Sequence, residues 1–415
     1  MFERSQAVIP GGVNSSIRAF RSVGGEPYVV AGASGATVID VEGTSYLDLV
    51  QSYGAVILGH GHPAITAAVS AAAADGTSFG APTPREMKLA EAISARVSSC
   101  ERVRLMNSGT EATSTAVRLA RGATGRDRIV SFAGNFHGAT DALLAAGGSG
   151  VATLGIPGTA GVPAAAVSET MVVPYNVVPE LDDSVAGVIV EPIAANMGVV
   201  APEPGFLDGL RTECDRVGAV LIFDEVITGF RIGHGGAQAK YDVTPDVTCF
   251  GKVIGGGLPI GAVGGRTELM EHLSPLGPVF HAGTLAGNPL ATAAGLAALD
   301  LLDDDLYIEL MARARHLSAL LRDACASEGF DAQFPVVGTL LGITCGVDAP
   351  VRDFDQAKST DEDAYARFFH AMLAEGVAMA PGAYEAIFIG AAHNDDIIAD
   401  LSDRAARAAA VAQRS

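Results

Sequence analysis

Positive charge is scarce in this chain: 27 basic residues stand against 47 acidic ones, a formal net charge of −20 over 415 residues. A surface of that sign suits neither a nucleic-acid backbone nor an anionic membrane, and an anionic substrate would need a local basic residue. The five cysteines, Cys100, Cys214, Cys249, Cys325 and Cys345, form no Cys-x-x-Cys pair and no cluster with histidine. That excludes the usual zinc spacings and a small stapled scaffold, and points to reduced thiols. No apolar run reaches membrane-spanning length without Gly, Pro or charge, and the leading MFERSQAVIPGGVNSS lacks the apolar centre of a secretion signal. Also missing are internal repeats, low-complexity linkers and any Gly-x-x-x-x-Gly-Lys-Ser/Thr phosphate loop. The expectation is a soluble, cytoplasmic protein with neither nucleic acid nor membrane as a partner.

What is present is apolar material, 49% of the residues, in a chain long enough for two or three domains. Residues 1–60 mix short extended pieces with glycine turns, and the VGG and VEG steps read as hairpin turns in a β-rich arm. From Pro63 the texture changes to an Ala-rich helix (Pro63 to Ala74), a second helix (Pro84 to Val97), and then apolar strands alternating with helices. The strands are RVRLM, RIVSF, AGVIVEP, AVLIFDEV and DVTCF. Their short, nearly unbroken apolar runs fit strands buried on both faces, so the fold class is α/β, a mainly parallel sheet with helices on both sides. This large unit spans 61–288. A smaller α+β unit, 289–415, opens with an Ala/Leu helix and later has strands in GTLLGITC and AIFIGAAH.

Chemistry gathers where those strands end. RVRLM runs into Asn107-Ser108-Gly109-Thr110-Glu111 and a helix, a small-residue turn that presents backbone N–H groups to an anion; an ordinary capped helix has the same residues. RIVSF leads to Phe136, placed to lie against a flat ring or else simply to fill core, and to His137, which taken alone is more often a hydrogen-bonded structural histidine than an acid or base. AGVIVEP ends at Glu191 and continues to Asn196, again at the carboxyl edge where open α/β sheets bind ligands. AVLIFDEV delivers Asp224, and TCFGKVIGGGLP delivers Lys252 into a glycine-rich turn. Singly, these are a helix cap and a solvated lysine. Together they suggest a pyridoxal phosphate enzyme, which needs an amine made less basic by desolvation and a carboxylate on the pyridine nitrogen.

The stretches PGGVNSSIRAF, ILGHGHP, GTSFGAPT, NSGTEAT, FGKVIGGGLP, HAGTLAGNP, FFHAML and the YEA before AAH cover nearly the whole chain. They resemble the glutamate-1-semialdehyde 2,1-aminomutase family, within the class III aminotransferase group of fold-type I pyridoxal phosphate enzymes. The resemblance implies that Lys252 holds the cofactor and moves protons, with Asp224 on the ring nitrogen. Val226 would pack under the ring and Phe136 over it, Ser108, Gly109 and Thr110 would bind the phosphate, and His137, Glu191 and Asn196 would line the site. Thr284 would reach the phosphate in the neighbouring subunit, making a homodimer. Arg18 would bind the substrate carboxylate, with Ser15, Ser149 and Glu385 as polar partners; a guanidinium fork suits a carboxylate. The implied reaction starts from the pyridoxamine form and isomerises glutamate-1-semialdehyde to 5-aminolevulinate, a tetrapyrrole precursor, through diaminovalerate. The segment from Ala145 to Gly161 resembles the family's gating loop, and the resemblance extends to a contact with glutamyl-tRNA reductase.

The chain also departs from the family's usual pattern. Phe136 stands where Tyr is usual, Tyr53 stands where Trp is common, and the chain has no Trp at all. HGATD lacks a second histidine, and Gly382 and Gly390 replace serines. Because these changes cluster around substrate and loop, a class III transaminase or epimerase acting on another ω- or β-amino acid is the alternative reading.

Overall fold

The computed structural model describes residues 1–145 and 158–414. The N-terminal part begins with short helical turns and then forms an antiparallel meander of β1 (Val30–Ser34), β2 (Thr37–Asp40) and β3 (Ser45–Asp48). The VEG step is the β2–β3 turn, closed by Asp40, whose Oδ1 accepts the N–H groups of Glu42 and Thr44. The VGG step is not a hairpin. It follows the short 3₁₀ helix Ser16–Ala19, and Gly24 donates its N–H to the carbonyl of Phe20 at 2.7 Å.

The large sheet consists of β4 (Arg102–Met106), β5 (Arg128–Phe132), β6 (Thr170–Val173), β7 (Val185–Val190), β8 (Val220–Asp224), β9 (Val247–Gly251) and β10 (Gly261–Gly265) in the order β4-β10-β9-β8-β7-β5-β6. All five strands expected from the sequence are present. All neighbours pair in parallel except β10, which runs antiparallel between β4 and β9. β6 and β10 were not expected. The glycine-rich β10, GAVGG, lacks the β-branched signature of a strand, and β6 is only partly buried at the sheet edge.

Along β7 and β8 every residue is buried, and successive side chains enter opposite cores. Ile189 and Ile222 join Ala116 and Ala120 of helix Gly109–Thr124, while Val188, Val190, Leu221 and Phe223 join Phe206 and Leu210 of helix Phe206–Val217. Helix Pro84–Ser94 starts with Pro at its first position and a reciprocal capping pair, Thr83 with Glu86. Helix Pro289–Leu299 packs on it and on helix Pro63–Asp75. Farther along, helices Asp304–Ser327, Glu362–Ala374 and Asp395–Arg414 form one core with Phe20, Val23 and Leu49 from the N-terminal part. β3 is extended there by a parallel partner, Val377–Ala378. Among the described residues no helix is long and apolar enough to cross a membrane, and none of the five buried cysteines is bonded to another.

Glycines in β10 let the sheet approach the first turn of helix Gly109–Thr124. A Cβ on Gly261 would lie 2.1 Å from the Ser108 carbonyl oxygen, a contact that backbone must move to relieve. Gly261→Ala is therefore expected to cost about 1–3 kcal/mol of stability, the usual range for overpacking, and to loosen anion binding at the Ser108 turn. Thermal unfolding and a phosphate or pyridoxal phosphate titration check both effects.

Candidate active site

The carboxyl ends of β4, β5, β7, β8 and β9 open on one side of the sheet into a cavity of about 390 Å³. Ten of the residues singled out in the sequence line it: Ser108, Gly109, Thr110, Phe136, His137, Glu191, Asn196, Asp224, Val226 and Lys252. Each arrives for a local reason. Ser108 caps helix Gly109–Thr124, its Oγ accepting the Glu111 N–H at 3.2 Å, so the first turn of that helix faces the cavity with its positive dipole end. Asp224 closes β8. Lys252 follows β9 with a left-handed backbone, φ 50°, that a lysine adopts only where its surroundings enforce it.

Each oxygen of Asp224 has one partner. Its Oδ2 lies 2.7 Å from His137 Nδ1, and its Oδ1 accepts the Val226 N–H at 3.1 Å. The carboxylate can only accept, so Nδ1 is the protonated nitrogen. The backbone at His137 is held by Thr113, whose hydroxyl donates to the His137 carbonyl at 2.6 Å. His137 Nε2, by contrast, is buried without a partner among the described residues. Glu191 accepts the Phe136 N–H at 2.6 Å on Oε1, and the Ala195 N–H at 3.0 Å and Asn196 Nδ2 at 2.8 Å on Oε2. Burial pushes its carboxyl up to about 7; the His137 ring and these N–H donors pull the other way, and Asp224 pushes it further up. Burial pushes the Lys252 ammonium down from its ordinary value, against the pull of Glu385, Glu191 and Asp224. An amine so placed gives up its proton more readily.

The walls suit a flat anionic ring compound. Phe136 is an aromatic side chain left 37% exposed, and Val226 lies against Gly109 and Gly251, where a Cβ would press it at 3.0 and 3.2 Å. The helix start for a phosphate, the Asp224 carboxylate for a protonated ring nitrogen, the His137 Nε2 that has no partner among the described residues and a half-buried amine together fit pyridoxal phosphate.

The other named residues lie apart. Thr284 is exposed in a separate recess with Phe79, Glu86 and Asn288. Ser15 and Arg18 sit at the 3₁₀ turn Ser16–Ala19, Ser15 half-buried and Arg18 exposed, and neither lines the cavity. Glu385 is half-buried and acts electrically on Lys252. Ser149, with residues 146–157 of the expected gating loop, lies outside the described residues. The sequence reading missed Ala55, Thr113 and the segment Gly257–Ile260, which also line the cavity. Thr113 was open to detection, because three residues after Thr110 it falls on the same helix face.

This fold and site define a pyridoxal phosphate enzyme, and the class-III aminotransferase family matches residues 20–394. The chain belongs to that family. Among individual proteins it is 50% identical to glutamate-1-semialdehyde 2,1-aminomutase of Cutibacterium acnes, over 99% of this chain and 98% of that protein. Among solved structures, an omega-transaminase from Sphaerobacter thermophilus superposes with a TM-score of 0.90 at 32% identity, covering 99% of this chain and 97% of its own. A glutamate-1-semialdehyde aminomutase from Pseudomonas aeruginosa PAO1 in complex with PMP superposes with a TM-score of 0.86 at 25% identity, over 98% and 92% of the two chains.

Glu191 gives a pH test. With its folded pKa raised above the unfolded value of 4.5, the native state holds the proton more tightly, so the cofactor-free protein loses stability as pH rises from about 4.5 to about 7. The Glu191 contribution to that loss is expected to be about 3 kcal/mol. Glu191→Gln should flatten the slope in urea unfolding across that window.

Proposed function

We infer that this chain is a pyridoxal phosphate-dependent aminomutase that converts glutamate-1-semialdehyde to 5-aminolevulinate by intramolecular amino transfer, in the cytoplasm. The observation that carries the reading is the convergence of a half-buried Lys252 and the Asp224–His137 pair on one cavity. The choice of substrate follows the relative that is 50% identical over nearly all of both chains. Substrate and product are isomers that differ in which of two adjacent carbons bears nitrogen, so no external amino donor is consumed.

The bound cofactor supplies an exchangeable aldehyde or amine and a ring that withdraws electrons from the carbon losing its proton. Lys252 holds the aldehyde form and, when released, takes and returns protons at Nζ, which burial keeps ready to be neutral. Asp224, oriented by His137 and the Val226 N–H, holds a proton on the ring nitrogen. Gly109 and Thr110 at the helix start, with Ser108, hold the phosphate, and Phe136 and Val226 keep water from the ring faces. Arg18 binds the substrate carboxylate and supplies the attraction that a net charge of −20 denies, with Ser15, Ser149 and Glu385 as polar partners. Thr284, exposed in one chain, serves the site of a second subunit in a homodimer. A contact with glutamyl-tRNA reductase, and the division of labour among the arm 1–60, the large unit 61–288 and the C-terminal unit 289–415, belong to the same reading.

Pyridoxamine-form enzyme mixed with glutamate-1-semialdehyde, with no other amine present, is expected to form 5-aminolevulinate over many turnovers. A single burst that stops, with turnover restored only by an amino acid and a keto acid, would instead make it a transaminase. Lys252→Ala should lower the rate by about 10²–10⁴-fold, the usual share of acid–base catalysis, and borohydride should no longer fix the cofactor to the chain. Arg18→Lys should weaken carboxylate binding by about 1–3 kcal/mol, read as a raised KM.

A further inference from the structure

Beside the cavity the backbone takes four consecutive left-handed residues: Gln51 (φ 44°), Ser52 (52°), Tyr53 (54°) and Gly54 (91°). Only the last is a glycine, and each of the others costs about 1–2 kcal/mol in that conformation. Such a turn persists only where its surroundings over-determine it. From one side Asp48 holds it, accepting the N–H groups of Val50 and Gln51 and the Gln51 side-chain amide, with its Oδ2 2.6 Å from His60 Nε2. From the other side comes Arg231. Its Nη2 donates to the carbonyls of Gly54 at 2.8 Å and Val56 at 3.4 Å, and its Nη1 donates to that of Ile389 at 2.8 Å.

Arg231 is wholly buried, and among the described residues no carboxylate forms an ion pair with it. Burial pushes the guanidinium down to about 10, so it remains charged at neutral pH. A buried charge met by carbonyls and the Phe388 ring 5.5 Å away, with no carboxylate paired to it among the described residues, is costly, and a neutral residue of similar volume would avoid that cost if packing were the only demand. What a neutral residue lacks is a rigid fork joining two segments.

Both segments lead to the substrate end of the site. Ala55, next after the turn, lines the cavity that holds Lys252 and Asp224, and Ile389 lies four residues beyond Glu385. Burial and then the Glu385 carboxylate raise the pKa of the Tyr53 hydroxyl, while the Arg18 guanidinium lowers it, so the three groups share one local field.

We propose that Arg231 is a positioning residue for recognition of the substrate's carboxylate end: its fork sets the Tyr53 turn against the Glu385 segment. The inference rests on the reading above that Arg18 binds the substrate carboxylate.

The test compares 5-aminolevulinate with 1-aminobutan-2-one, which presents the same aminoketone without the carboxylate. Each is titrated into holoenzyme in its aldehyde form while the visible absorbance is followed. Wild type should prefer 5-aminolevulinate. In Arg231→Lys, a single ammonium cannot span both carbonyls, and that preference should fall about tenfold while the constant for 1-aminobutan-2-one changes less than twofold. Tyr53→Phe, which leaves the clamp intact, should reduce the preference about threefold and decides the matter alone if Arg231→Lys does not fold. The proposal is overturned if folded Arg231→Lys discriminates as wild type does, if it weakens both amines equally, if Tyr53→Phe leaves the preference unchanged, or if wild type shows no preference. A wild-type enzyme that prefers the carboxylate-bearing amine yet does not isomerise the semialdehyde loses the aminomutase reading and keeps this one.

Discussion

Withdrawal of one amine from water governs this molecule. Lys252 sits half-buried where β9 ends, within the field of Asp224, Glu191 and Glu385, and loss of solvent outweighs those carboxylates in setting its proton affinity. The sheet makes that possible, because strands covered on both faces bring their carboxyl ends together at one cavity. The cost appears locally as a left-handed backbone at Lys252. The carboxylates then need fixed hydrogen bonds of their own, which His137, Asn196 and the backbone of 136, 195 and 226 provide.

Close approach is the second constraint. β10 slides past the Ser108 turn only because Gly261 has no side chain, and Val226 keeps its place against the cavity only because Gly109 and Gly251 have none. The same glycines that weaken β10 as a strand signal fit it against the helix start proposed to hold phosphate. Local propensity and site geometry conflict there, and the geometry prevails, supported by pairing to β4 and β9 on both sides.

The region proposed to bind the substrate carboxylate follows a different principle. Around the ring site, groups stand at the ends of regular strands. Around Arg18, Tyr53 and Glu385 they stand on turns brought together from the N-terminal and C-terminal parts of the chain, which share one hydrophobic core. Turns have no ladder to hold them, so hydrogen bonds from Asp48 and Arg231 take over that task.

The sequence by itself determined the five apolar strands of the sheet and the residues at their ends. A run such as VLIFD needs burial on both faces, and chain direction then places whatever follows it at the binding edge. Lys252, Asp224, Glu191 and the Ser108 turn were legible for that reason. Tertiary structure alone decided the antiparallel insertion of β10, whose five residues carry no strand pattern, and the pairing of Asp224 with His137 across 87 positions of chain. It also decided the clamp of Arg231 on Gly54 and Ile389, over sequence separations of 177 and 158. Periodicity and spacing record which face of an element is buried, whereas a hydrogen bond between distant turns depends on how those elements meet.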